Sequence, residues 1–167
     1  MAAATDDRLE ALVGQVADRL IEAGWRLATA ESCTGGWIAK VCTDRAGSSR
    51  WFDEGVVTYS NAAKQARLGV PAATLEGFGA VSGETAAAMA AGARADDDRR
   101  VALATTGIAG PGGGSARKPV GLVWFAWAWP DGRVVTDSVV LSGDRDAVRR
   151  DSVAHALRGV LGQVPVA

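Results

Sequence analysis

The chain has little of what several protein classes require. Only two cysteines, Cys33 and Cys42, occur in 167 residues. They sit close together near a predicted helix and in no metal-ligand spacing, which excludes a secreted disulfide framework and leaves free thiols as the expected state. No apolar run approaches the roughly 18 residues of a membrane span, and the opening MAAATDDRLE has no basic segment followed by an apolar one. The expectation is a cytoplasmic protein with no membrane partner. Eighteen basic residues against nineteen acidic ones leave a net charge of -1, so there is no broad positive field for nucleic acid. Linkers, repeats and low-complexity tails are also lacking. The chain reads as a single domain over 1–167, with an ordered core of about 6–161.

Three further scarcities bear on chemistry. The one histidine, His155, lies in VAHALRGVL, an ordinary helical stripe, and no G-x-S-x-G is present. A Ser-His-Asp triad is therefore not expected. Tyr59 is the one tyrosine. Fifteen arginines stand against three lysines, Lys40, Lys64 and Lys118. Arginine serves this chain wherever positive charge is enough, so a retained lysine points to a group that exchanges a proton, which a guanidinium does not.

What is present is an α/β pattern. Residues 6–23 have helical apolar spacing, acids in the first turn and Gly24 just beyond. WRLATA (25–30) reads as a strand feeding a helix through WIAKVCTD (37–44), with Ser32 or Thr34 as its cap. A strand (54–60), a short helix closed by Gly69, a helix over 82–95 and a buried strand (99–107) follow. Two alternating apolar runs then flank Pro130-Asp131-Gly132, a hairpin signal, before a last helix over 144–161. The order αβαβααβββα predicts a three-layer α/β/α sandwich with a mixed sheet and a late antiparallel hairpin. Trp124 falls on one face of its strand and Trp127 and Trp129 on the other, which suits a covered sheet or an oligomer contact; the expectation is a homo-oligomer, for which a homodimer is one form.

The first chemical candidate is Glu31-Ser32-Cys33-Thr34-Gly35-Gly36, at a strand-to-helix junction where free N–H groups and the helix dipole favour an anion and glycines admit a ligand. Ser32 is there either a helix cap or a nucleophile, and Cys33 is the lesser alternative. A serine needs a base. VVTYSNAAKQA places Tyr59 and Lys64 at a second strand-to-helix junction, which falls at the same sheet edge as Ser32 if the strands are parallel. To act near neutrality Lys64 must fall well below its reference value of about 10.4, by burial or a neighbouring cation. Tyr59 would relay the proton or hold the lysine. GIAGPGGGS (107–115) lacks the Lys-Ser/Thr of a phosphate loop and lies between two strands, leaving a loop of accessible N–H groups that either lines or covers a site or is a plain connector. Arg145 opens the last helix, where a guanidinium can grip a phosphate or carboxylate.

In order and spacing, TAESCTGGWIAKV, AGSSRWF, GVVTYSNAAK, LGV, GAVS, TGIAGPGGG, KPVG and SGDRDAVR resemble the C-terminal domain of the competence/damage-inducible protein CinA family, over nearly the whole chain. The likeness is strongest to its single-domain bacterial members; Ala46 stands where proline is common before Gly-Ser-Ser. The resemblance implies hydrolysis of the carboxamide of nicotinamide mononucleotide to nicotinic acid mononucleotide and ammonia, with no metal and no cofactor. It implies Ser32 as nucleophile, Lys64 as general base and Tyr59 as assisting group. Ser49, Thr106 with the Gly107 to Gly114 loop (Gly107 and Gly112 included) and Arg145 are implied in substrate contact, and the N–H groups of Thr34, Gly35 and Gly36 in holding the oxyanion.

Overall fold

The computed structural model describes residues 3–162. Five strands form one sheet in the order β2-β1-β3-β4-β5, from β1 (Arg26–Glu31), β2 (Phe52–Val57), β3 (Arg100–Gly107), β4 (Leu122–Ala128) and β5 (Val134–Val140). β1 pairs in parallel with β2 and β3, while β3, β4 and β5 pair antiparallel. The mixed sheet and the late hairpin are as the pattern predicts, with Gly132 at φ +84° in the turn.

Alternation along the strands divides the core. Leu27, Val101, Leu103, Val123, Phe125 and Trp127 face one side and pack with α1 (Asp6–Ala23), α2 (Trp37–Asp44) and α6 (Arg145–Leu161). Ala28, Ala30, Ala102, Ala104, Ala126 and Ala128 face the other, against α3 (Asn61–Leu68), α4 (Ala72–Phe78) and α5 (Gly83–Arg94). Alanines on that second face let α5 approach the sheet closely, and large residues on the first fill the gap to three helices. Trp124 packs with the alanine face and Trp127 and Trp129 with the other, so the hairpin aromatics serve within the chain.

Local chemistry sets the helix ends. Ser60 Oγ accepts from the Ala63 N–H at 3.0 Å and Gly69 closes α3, so this helix starts at the exit of β2. Ser82 and Asp144 cap α5 and α6 in the same way. The helix α4 is absent from the sequence reading: seven residues with Gly77 inside give no periodicity to detect.

All three parallel strands end at one edge. Glu31 lies opposite Val57 on one side and Thr105 on the other, so the segments leaving β1, β2 and β3 meet there. Sites in open α/β sheets form at such carboxyl edges.

Candidate active site

The turn leaving β1 is organised by Glu31, which is fully buried. Its carboxylate accepts from Thr34 Oγ1 (2.8 Å), Thr29 Oγ1 (3.2 Å) and the backbone N–H groups of Ile38 and Ala39 (2.9 Å each). Glu31 therefore satisfies the first turn of α2, and the expected cap by Ser32 or Thr34 is corrected. Gly36, at φ +93°, occupies the cap position without a side chain. The positive end of α2 is thus filled by the protein's own carboxylate, which removes it as an anion site for a ligand. It also frees the Ser32 hydroxyl from any capping duty.

That hydroxyl meets Lys64 instead. Lys64 Nζ donates to Ser32 Oγ at 3.0 Å and to the Thr58 carbonyl at 2.9 Å. The lysine is 1% exposed and, among the described residues, pairs with no carboxylate. Burial holds its amine below the ordinary lysine range, against a weaker opposing influence from Cys33. Its position follows from the topology: parallel β1 and β2 bring Ser32 beside Thr58, and the first turn of α3 directs Lys64 back over the strand ends. Thr58, whose carbonyl orients the amine, carried no signal in the sequence because any residue presents the same carbonyl.

Ser32, Tyr59, Lys64, Thr106, Gly107, Gly112 and Arg145 line one cleft of about 270 Å³ with Cys33, Ala80 and Val81. Tyr59 is 62% exposed, and its hydroxyl accepts from an Arg145 terminal nitrogen at 3.0 Å. The other terminal nitrogen of Arg145 donates to the Gly110 carbonyl at 2.8 Å, tying the glycine loop to α6. Thr106 Oγ1 donates to the Ala80 carbonyl at 2.7 Å and so holds the cleft wall. Cys33 also lines the cleft, but burial pushes its thiol up to about 12, which leaves it protonated and a poor nucleophile.

Four residues named with these lie elsewhere. Thr34 is buried between Glu31 and Thr105 (2.8 Å to each), and the Gly35 N–H donates to the Ser32 carbonyl at 3.0 Å. Gly35 and Gly36 line a different, larger groove of about 940 Å³ between α1, α2 and α6. Ser49 is exposed on a short 3-10 turn, Ser48–Arg50, after α2. That turn leads into β2 beside the start of β1, at the opposite edge of the sheet from Ser32. His155 bonds Asp137 at 2.9 Å and packs on Phe125, outside the cleft. The residues lining the larger groove include no hydroxyl–amine pair, whereas Ser32 and Lys64 both line the smaller cleft. Among the described residues no group of three or more His, Cys, Asp or Glu is placed to hold a metal, and no helix is long and apolar enough to cross a membrane.

A family model described as the CinA C-terminal domain matches residues 9–164. The chain belongs to the CinA C-terminal domain family. Among its curated relatives is the nicotinamide-nucleotide amidohydrolase PncC of Enterobacter agglomerans, 51% identical over 157 residues that cover 94% of this chain and 96% of that protein. The protein of the same name in Escherichia coli K12 is 52% identical, covering 92% and 93%. A CinA-like protein of Akkermansia muciniphila is 48% identical over 81% of this chain, yet only 33% of that longer protein is matched. The crystal structure of the competence/damage inducible protein CihA from Agrobacterium tumefaciens superposes with a TM-score of 0.87 at 43% identity, covering 97% of this chain and 98% of that one. The three-layer mixed-sheet architecture is thus that of the CinA superfamily.

Proposed function

We propose that this chain is a nicotinamide-nucleotide amidohydrolase that converts nicotinamide mononucleotide to nicotinic acid mononucleotide and ammonia, with Ser32 as nucleophile, Lys64 as its base and Tyr59 as assisting group. The substrate is suggested by the names of relatives that match nearly end to end. The chemistry rests on one observation: a buried amine with no carboxylate partner among the described residues stands 3.0 Å from a serine hydroxyl in a cleft sized for one small ligand.

Neutral Lys64 takes the hydroxyl proton as Ser32 Oγ bonds to the carboxamide carbon. Negative charge moves to the former carbonyl oxygen, which backbone N–H groups of the turn after Ser32 would hold. Collapse breaks the C–N bond while the Lys64 ammonium returns its proton to the leaving nitrogen, releasing ammonia. Water then attacks the ester, Lys64 takes its proton and passes it to Ser32 Oγ, and the carboxylic acid leaves. Tyr59 and Arg145, bonded to each other at the mouth, face the substrate's far end, where a guanidinium suits a phosphate.

The test is ammonia release from nicotinamide mononucleotide, from its riboside lacking the phosphate, and from a panel of other small amides. Turnover of the mononucleotide above the rest supports the assignment. Binding of the nucleotide without ammonia release makes the chain a noncatalytic nucleotide-binding module. Preference for another amide keeps the chemistry and replaces the substrate.

A further inference from the structure

The turn that carries Ser32 is a partition between two concavities. Ser32 and Cys33 line the cleft on one side, while Gly35, Gly36 and Arg149 line the large groove on the other. From the groove side Arg149, on α6, reaches the turn itself: its Nε donates to the Cys33 carbonyl and a terminal nitrogen to the Thr34 carbonyl, both at 3.1 Å. Its guanidinium carbon lies over the Trp37 ring, 5.2 Å from the centroid, a cation–π contact that adds to its hold. Gly35, at φ +61°, turns the chain there, and a Cβ on it would stand 3.3 Å from the Arg149 terminal nitrogen.

These two bonds set peptide planes. In a trans peptide the N–H points opposite to the C=O, so carbonyls of Cys33 and Thr34 drawn to Arg149 send the next N–H groups the other way. The Gly35 N–H is found on the Ser32 carbonyl at 3.0 Å, closing the turn on the residue that carries the hydroxyl. Arg150 offers a contrast on the same helix. It lies over the same Trp37 ring at 4.9 Å but pairs with Asp6 and Asp146, not with the turn.

We infer that Arg149 is a positioning residue for the reaction: its two-point grip on the Cys33 and Thr34 carbonyls keeps Ser32 Oγ within reach of Lys64. The inference rests on the reading of Ser32 as nucleophile. A lysine supplies the charge but not the fork, so it is an incomplete replacement.

The experiment compares Arg149→Lys, Arg149→Met and Arg150→Lys with wild type in two assays, deamidation of nicotinamide mononucleotide and the rate at which a fluorophosphonate probe labels Ser32, located by peptide mass mapping. Arg149→Lys is expected to lose on the order of 10-fold in kcat and Arg149→Met on the order of 100-fold, the scale of a misplaced reacting group, with KM little changed. Labelling falls in parallel, thermal midpoints stay near wild type, and Arg150→Lys keeps wild-type rates. Wild-type kcat in Arg149→Lys overturns the inference. So does a loss shared equally by Arg150→Lys and matched by a lower thermal midpoint, which marks a packing role only. If wild type is labelled at Ser32 but releases no ammonia, the substrate is wrong and the labelling ratios alone decide Arg149. If wild type is neither labelled nor active, the nucleophile and the positioning residue fall together.

Discussion

Lys64 Nζ and Ser32 Oγ stand 3.0 Å apart across 32 positions of sequence, one on the first turn of a helix and the other on the exit of a neighbouring parallel strand. The pair exists because β1 and β2 run in the same direction and end together. The proposed chemistry depends on burial, since an ammonium stripped of water, with no carboxylate partner among the described residues, gives up its proton more readily.

The pH dependence follows with a definite sign. In the proposed mechanism the neutral amine is the working form, so kcat/KM is expected to rise with pH through the lowered Lys64 value and then level off. Stability runs the same way. Between the folded value and the unfolded value of about 10.4, the unfolded chain holds a proton that the folded chain lacks, so stability climbs with pH over that window. Below the folded value no further change comes from this group. Urea unfolding of wild type and Lys64→Met over a pH series checks it, with the slope across the window reduced in the variant.

Glu31→Gln tests the buried cap. The carboxylate accepts four hydrogen bonds and also faces the positive end of α2. An amide NH2 would meet a donor where the second oxygen stood. The expected loss is about 3 kcal/mol in denaturant unfolding, the scale of charge-assisted bonds broken in the interior, and the Ser32 turn loosens with it. A loss below about 1 kcal/mol would remove Glu31 as the organiser of the turn.

Gly92→Ala tests how the fold holds the amine in place. A Cβ on Gly92 of α5 would lie 1.9 Å from the Leu68 carbonyl oxygen at the end of α3. Alanine favours a helix by roughly 1 kcal/mol over glycine, but this collision is with backbone and forces α3 outward. The variant is expected to lose stability overall, by about 2 kcal/mol, and to lose deamidase activity because α3 carries Lys64. Wild-type melting and turnover would refute the close packing of the two helices.

Arg145→Met is expected to raise KM for the mononucleotide by on the order of 10-fold while changing KM for the riboside far less, because a guanidinium gives its largest contribution to a phosphate. Equal effects on both substrates would assign Arg145 to the loop through Gly110 rather than to the phosphate.

Much of this architecture was legible in the sequence, and the exceptions have physical causes. Amphipathic helices, strand alternation and the Pro130-Asp131-Gly132 turn are local patterns, and the structure follows them. Ser32 and Lys64 were legible as types of group, and their meeting followed once β1 and β2 proved parallel. Glu31 was passed over as a cap because its carboxylate reaches N–H groups seven and eight residues ahead, beyond the usual three-residue spacing. Arg149 closes the SGDRDAVR segment but was assigned no role, since its contact with the Thr34 carbonyl spans 115 positions. Gly35 and Gly36 line the larger groove and Ser49 sits at the far edge of the sheet, placements that depend on the fold of the turn and the strand register and not on local spacing.

The most direct measurement is ammonia release from nicotinamide mononucleotide by Ser32→Ala and Lys64→Met beside wild type and Cys33→Ala, all checked for folding by thermal melting. The account predicts losses of at least about 1,000-fold in the first two, because nucleophile and base act as one unit, and turnover near wild type in Cys33→Ala. Folded Ser32→Ala or Lys64→Met protein with activity within about 10-fold of wild type would contradict it.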